Sequence, residues 1–165
     1  MTAEVTTGLS GEKINPAGSP RTVMIITAGA DISPKIASEI MGIVGSGRTL
    51  RKAEVEELLP NDFSWPGYDE WKAEFERIGY NSFPWKKMNK KEMLILTIGS
   101  ILTSNRDIEQ GANIKGLRWQ LLIDADSCPH CATFAEKVYS SKNVPIPGED
   151  THPGCRCCLM PVLPE

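Results

Sequence analysis

The placement of cysteine and histidine constrains this chain more than any other feature of its sequence. All five cysteines and both histidines lie between Cys128 and Cys158. Cys128 and Cys131 enclose two residues, as do His152 and Cys155, so each pair can form a tight turn around one ion. Tetrahedral zinc takes four thiolate or imidazole ligands, and C-x2-C is a spacing that structural zinc sites use repeatedly. The sequence therefore predicts a structural Zn²⁺ site with these two pairs as its ligands.

The fourth ligand is less well defined than the first two. Cys155, Cys157 and Cys158 are rivals, since the C-x-C-C run can supply either one ligand or two. If it supplies two, His152 supports the site without binding the ion. His130 lies inside the first turn and points outward if both flanking cysteines point inward, so we expect it to be solvated and not to be a ligand.

The same cysteines allow two other interpretations. A C-x-x-C pair is also the redox motif of thioredoxin-like proteins, and a thiol oxidoreductase would use Cys128 and Cys131. That role gives no reason for the HPGCRCC segment downstream. Two disulfides with one spare thiol are the other option. The N-terminal MTAEVTTGLSGEKINPAG lacks both the charged start and the apolar core of an export signal, so we expect a reducing compartment and favour the metal.

Three motifs follow one another in the region from about Leu94 to the end of the chain. They are TSNRDIEQ around Arg106 to Glu109, WQLLIDADSC from Trp119, and HPGCRCCLMPVL from His152. In this order they resemble the C-terminal part of the Mu-like phage head-morphogenesis family. Members of that family are minor head proteins of tailed bacteriophages.

The resemblance implies a structural virion protein, synthesised in the cytoplasm of the bacterial host. It would be a minor capsid or head-morphogenesis protein, or a component of the head-to-tail junction. Its partners would be capsid, portal or connector proteins and copies of itself. The implied metal positions are Cys128, Cys131, His152 and either Cys155 or Cys157. Whether the cysteines form disulfides after release from the host is left open.

Charge and hydropathy argue against two other classes of protein. The formal net charge of -3 is unlike that of a protein whose whole surface binds nucleic acid, because phosphate binding depends on clustered Lys and Arg. A local cluster of four lysines between Lys86 and Lys91 keeps two hypotheses open, a weak contact with packaged DNA and a zinc-dependent nucleic-acid-binding module. No apolar run approaches the roughly 20 residues of a membrane-spanning helix.

The cysteine pattern does not favour catalysis. A catalytic zinc keeps one position open for water and has a base nearby, whereas four protein ligands leave no open position. Zinc deaminases combine H-x-E with P-C-x-x-C. No H-x-E occurs here, and Cys128 is not preceded by proline. We therefore expect no enzyme activity and no catalytic residues.

Length and composition favour one small globular domain with appendages. Of the 165 residues, 41% are hydrophobic and 24% are charged, which is enough for a buried core. We predict a mostly helical α+β fold with a few short strands, divided into a flexible N-terminal arm (1–21), a helical domain (22–118) and a strand plus zinc-knuckle module (119–165). Residues 1–21 are predicted to form an arm because they lack any periodic apolar pattern.

Local sequence features predict where the helices and strands lie. Ser33 and Pro34 are suited to a helix start, Gly79 to a helix end, and Asn89 with Glu92 to a capping box. An aromatic cluster between Phe63 and Trp85 is expected in the core or at a subunit contact. The predicted helices are 34–44, 49–59, 69–78, 90–104 and 105–115, and the predicted strands are 22–28 and 119–123.

Overall fold

The computed structural model describes residues 25–80, 84–110, 116–120 and 128–162. Within these ranges the chain forms four α-helices and a three-stranded antiparallel sheet, which confirms the α+β prediction. The predicted arm, residues 1–21, lies outside them. The elements are α1 (Pro34–Gly45), α2 (Lys52–Leu58), α3 (Pro66–Ile78), α4 (Lys90–Gln110), β1 (Gly116–Gln120), β2 (Val138–Tyr139) and β3 (Cys158–Val162).

Helix ends that depend on local capping lie where the sequence predicts them. The Ser33 hydroxyl accepts a hydrogen bond from the amide of Ile36 at 3.2 Å and caps α1. The Asn89 amide donates to the Glu92 carboxylate, and the Asn89 side chain accepts from the Glu92 amide, so the predicted capping box begins α4. Gly79 ends α3 with a φ of 79°, a conformation that glycine adopts without strain.

Other boundaries differ from the predictions for local reasons. Helix α2 begins at Lys52 because the Glu54 carboxylate accepts a hydrogen bond from the Arg51 amide, which makes Arg51 the cap. Helix α3 begins at Pro66, before the predicted start at Asp69, because proline suits a first helical position. The described part of the predicted strand 22–28 is not a strand, and β1 begins at Gly116 instead of Trp119.

Helix α4 is one continuous helix where the sequence predicts two. No proline or glycine interrupts the chain between Ser104 and Gln110, and Ser104 is buried at the point of the predicted break. Met93, Leu94 and Ile98 are fully buried, so this helix lies at the centre of the helical core. None of the described helices has both the length and the apolar character needed to cross a membrane.

The helical core packs around α4 and includes part of the predicted aromatic cluster. Trp65 is fully buried, and its indole N–H donates to the Ala28 carbonyl at 2.8 Å. Its ring stacks on Tyr68, which stacks in turn on Trp85, with ring centroids 5.2 Å apart in both pairs. This part of the aromatic cluster therefore belongs to the interior.

The sheet has the strand order β2-β1-β3, and its two faces differ in exposure. Trp119 pairs with Leu159, and both residues are buried. Arg118 pairs with Val138 on one side and Met160 on the other, and all three residues are exposed. One face of the sheet therefore belongs to the interior and the other to solvent.

Candidate metal centre

Two chain turns bring the predicted ligands together. The first turn runs from Cys128 into a short 3-10 helix, Cys131–Phe134, and is closed by a hydrogen bond from the Ala132 amide to the Cys128 carbonyl at 3.1 Å. The second turn carries His152 and Cys155. The Cys131 sulfur lies 3.1 Å from His152 Nε2 and 3.6 Å from the Cys155 sulfur, so the two turns face each other directly.

The donor atoms form two groups of three that share Cys131. One group is Cys128, Cys131 and His152, and the other is Cys131, Cys155 and Cys157. Within each group the ligand atoms lie within 4.8 Å of one another, and all five residues are buried. The structure thus collects the four predicted ligands and the rival Cys157 into one cluster that could hold a metal ion.

Strand β3 separates the two adjacent cysteines at its start. Side chains alternate between the two faces of a strand. Cys157 and Leu159 are buried, whereas Cys158 and Met160 are exposed. Cys158 therefore points away from the cluster and belongs to neither donor group.

His152 is oriented as a ligand. Its Nδ1 lies 2.8 Å from the Pro153 carbonyl oxygen, which can only accept a hydrogen bond, so Nδ1 carries a proton. In the neutral imidazole, Nε2 then presents its lone pair towards Cys131, the arrangement that metal-binding histidines use. The rings of Phe75 and Trp71 from α3 pack against the imidazole at centroid distances of 5.0 and 5.8 Å.

His130 is not solvated as expected. It is half-buried, and its ring lies 4.8 Å from Trp71 and 5.7 Å from Phe134. Apolar packing against α3 explains the difference, because the outward side of the first turn is covered by Trp71. His130 belongs to neither donor group.

The second turn is joined to α4 by a contact that the motifs do not predict. The Thr97 hydroxyl accepts a hydrogen bond from the Gly154 amide at 2.9 Å and donates to the Met93 carbonyl at 2.7 Å. Gly154 has a φ of 77°, and a β-carbon there would lie 2.8 Å from both Met93 Cε and Pro84 Cγ. Glycine is required here by conformation and by space. The only sequence feature that points to this contact is Thr97, a polar residue within the apolar run of α4.

The ionisable groups of the cluster are buried close together, and this shifts their pKa values. Hydrogen bonding with the Cys131 thiol lowers the pKa of Cys128 to about 4 and that of Cys155 to about 2. The same bonds raise the pKa of Cys131. At Cys157 the lowering effect of Cys131 is outweighed by hydrogen bonding to Cys155 and by burial, which raise its pKa to about 12. Burial lowers the pKa of His152, but its contacts with Cys128, Cys155 and the Pro153 carbonyl together outweigh burial and raise the pKa. A divalent cation could replace the shared protons.

The distances suit a tetrahedral ion. Zinc bonds of about 2.3 Å to sulfur and 2.0 Å to nitrogen place ligand atoms about 3.5 to 3.8 Å apart. The separations of 3.1 Å and 3.6 Å around Cys131 differ from these by only a few tenths of an ångström. All five cysteines are free thiols, so neither disulfide of the alternative interpretation is present.

The lysine cluster ahead of α4 is largely occupied by the protein itself. The Lys91 ammonium is buried and donates to the carbonyl and carboxylate of Glu56 and to Asn61. The Lys90 ammonium donates to the Phe63 carbonyl at 2.6 Å and lies 4.7 Å from the centre of that ring. Two of the four charges are therefore committed to structural contacts.

Comparisons with protein-family models, curated proteins and solved structures find no match to this chain. Two features of the chain therefore bear on its function, namely the order of its motifs and the geometry of the buried donor cluster.

Proposed function

We propose that this chain is a structural virion protein of a tailed bacteriophage, stabilised by a structural Zn²⁺ ion. It would serve as a minor capsid or head-morphogenesis protein, or at the head-to-tail junction. The observation that carries the proposal is the convergence of the C-x-x-C turn and the HPGCRC turn on one buried cluster. Both turns lie within the motifs that carry the resemblance to the phage family.

The donor set favours zinc in a structural role. Cys128, Cys131, His152 and Cys155 would hold the ion, with Cys157 as the rival ligand. Thiolate and imidazole ligands suit zinc, and a cluster with more donors than a tetrahedral ion needs leaves no position for a reactive water. Bound zinc would supply folding free energy to this region.

The protein would act by contacts and not by turnover. Its partners would be capsid, portal or connector proteins and further copies of itself, within particles assembled in the host cytoplasm. DNA contact has weaker support, because only Lys86 and Lys87 of the lysine cluster are exposed. A nucleic-acid-binding module would instead show affinity that falls steeply with salt. A thiol oxidoreductase would show turnover through a reversible Cys128–Cys131 disulfide.

The zinc proposal is tested by the mass of the purified chain. We expect a native mass heavier by one zinc ion, which is lost on denaturation and leaves five thiols that can be alkylated. No bound zinc, together with a mass deficit of two hydrogens per bridge, would show a disulfide clamp instead.

The virion proposal is tested by locating the chain. An antibody raised against the recombinant protein should detect it in purified tailed-phage particles from the host that carries its gene. Detection in the lysate but not in purified particles would overturn the virion assignment while leaving the zinc site unaffected.

A further inference from the structure

Trp119 has a buried hydrogen-bond donor without a partner. The residue lies in β1 and is fully buried. Its indole nitrogen is one of two buried side-chain nitrogen or oxygen atoms in the described residues that lack a hydrogen-bond partner. Buried indole N–H groups usually find an acceptor, so this one calls for an explanation.

The sheet places Trp119 diagonally opposite Cys157. Trp119 is paired with Leu159, and Cys157 lies two residues before Leu159, on the same buried face. Such diagonal neighbours are within reach of an aromatic side chain. Trp119 and Cys157 belong to the same buried cluster, and Phe134 packs on the indole at a centroid distance of 4.8 Å.

The missing acceptor can be a charged sulfur. A protonated thiol is a weak acceptor, whereas hydrogen bonds to ionised groups are shorter and stronger. A metal ion bound to Cys157 would keep its sulfur deprotonated. An acceptor for the indole N–H would therefore exist in the metal-bound protein and be weak in the metal-free one.

We propose that the Trp119 indole N–H donates a hydrogen bond to the Cys157 thiolate in the metal-bound protein and so positions Cys157 as a metal ligand. This inference rests on the proposed metal centre. It assigns Cys157 to the ligand set and Trp119 to a positioning role. Groups that orient metal ligands in this way change metal affinity by about 10- to 100-fold when they are removed.

Trp85 provides a matched control. Its indole nitrogen is the other buried atom without a partner, but its ring packs on Tyr68 and Phe75. Trp85→Phe and Trp119→Phe make the same chemical change, the loss of a buried N–H and part of a ring. Trp85 also packs against the cysteine cluster, but only Trp119 lies diagonally opposite a proposed ligand in the sheet.

The first experiment follows the indole N–H resonances of the full chain during a zinc titration. The two substitutions assign the Trp85 and Trp119 signals. We expect the Trp119 signal to move downfield as one equivalent of zinc binds, while the Trp85 signal stays close to its starting position. An unmoved Trp119 signal in a chain that does bind zinc would overturn the inference and leave the proposed metal centre standing.

The second experiment measures zinc affinity by competition with a chelator. Trp119→Phe should weaken binding about 10-fold or more, and Trp85→Phe should weaken it clearly less. In a Cys157→Ser background Trp119→Phe should cause no further loss, because the acceptor is already gone. Equal affinities for the two tryptophan variants would overturn the inference. If Trp119→Phe does not fold, the Trp119 indole resonance of the unaltered chain decides whether the hydrogen bond forms. A chain that binds no zinc overturns both proposals.

Discussion

Trp65 and Trp119 are both fully buried tryptophans, yet their indole N–H groups are in different situations. Trp65 donates to the Ala28 carbonyl at 2.8 Å inside the helical core. Trp119, inside the cysteine region, has no partner in the described residues. The helical core therefore supplies the acceptor for Trp65 from its own atoms, although Trp85 in the same core also has an unpartnered indole N–H. The cysteine region instead contains an unpartnered donor and thiols that share protons, as expected of a site completed by a cation.

Removing the Cys131 sulfur, which both donor groups share, should have the largest effect on stability, and that effect should be confined to the cysteine region. Structural zinc sites contribute on the order of 10 kcal/mol of apparent binding free energy, so Cys131→Ser should lose most of that stabilisation. Native mass spectrometry should show no stoichiometric zinc, and hydrogen exchange should show lost protection in β1 and β3 but retained protection in α4. The exposed Cys158→Ser is the control. Normal zinc affinity in Cys131→Ser would contradict the shared role.

A cavity in the helical core should have an effect that does not depend on zinc. Ile98 is fully buried, and Ile→Ala in such a site costs about 2 to 5 kcal/mol of unfolding free energy. Urea unfolding with and without a chelator should give the same loss for Ile98→Ala, with the exposed Ile78→Ala as a small-effect control. A loss that appears only in the presence of zinc would show that the two regions are not energetically separate.

Substitution of Gly154 should affect both regions, since this residue joins them. An alanine there would contact Met93 and Pro84 and adopt a positive φ, which we expect to cost about 1 to 3 kcal/mol. Zinc affinity should fall as well, because the turn that carries His152 would move. Gly42→Ala is the matched control, since its added carbon would have no neighbour within 4 Å. Thermal unfolding and chelator competition provide the two measurements.

The smallest expected effect lies on the surface of α2. The pKa of Glu54 is lowered from 4.5 to about 2, mainly by the hydrogen bond from the Arg51 amide and also by Arg48. A lowered folded-state pKa adds stability above about pH 4.5 that is lost as the pH falls towards 2. Glu54→Gln should therefore weaken the acid dependence of urea unfolding in this range. The exposed Glu57→Gln should not, and identical pH profiles for both variants would exclude the effect.

Local rules in the sequence predicted the ends of helices and the identity of the donors. Ser33, Asn89 with Glu92, and Gly79 act on neighbours within a few residues, so their roles can be inferred without the fold. The spacing of cysteines likewise identified the residues that the structure brings together. Whether a metal binds them stays a prediction.

Contacts between residues far apart in the chain could not be predicted from the sequence. The bond between Thr97 and Gly154 joins residues 57 positions apart, and nothing near either residue indicates the other. The distinction between Cys157 and Cys158 depends on which face of β3 each occupies, and so on a strand boundary that composition does not define. The continuation of α4 through Asn105 was missed because polar residues there resemble a helix end.

The pairing of β1 with β3 has a consequence for how fast the sheet can form. Gln120 must meet Cys158 across a long stretch of chain, and pairing between such distant segments is slow because a large loop must close first. An ion held by both turns would connect Cys128 and Cys131 to Cys155 at the two ends of that stretch. The remaining path between the strands would then be short. If the ion binds before the strands pair, the pairing of β1 with β3 becomes a nearly local step in folding.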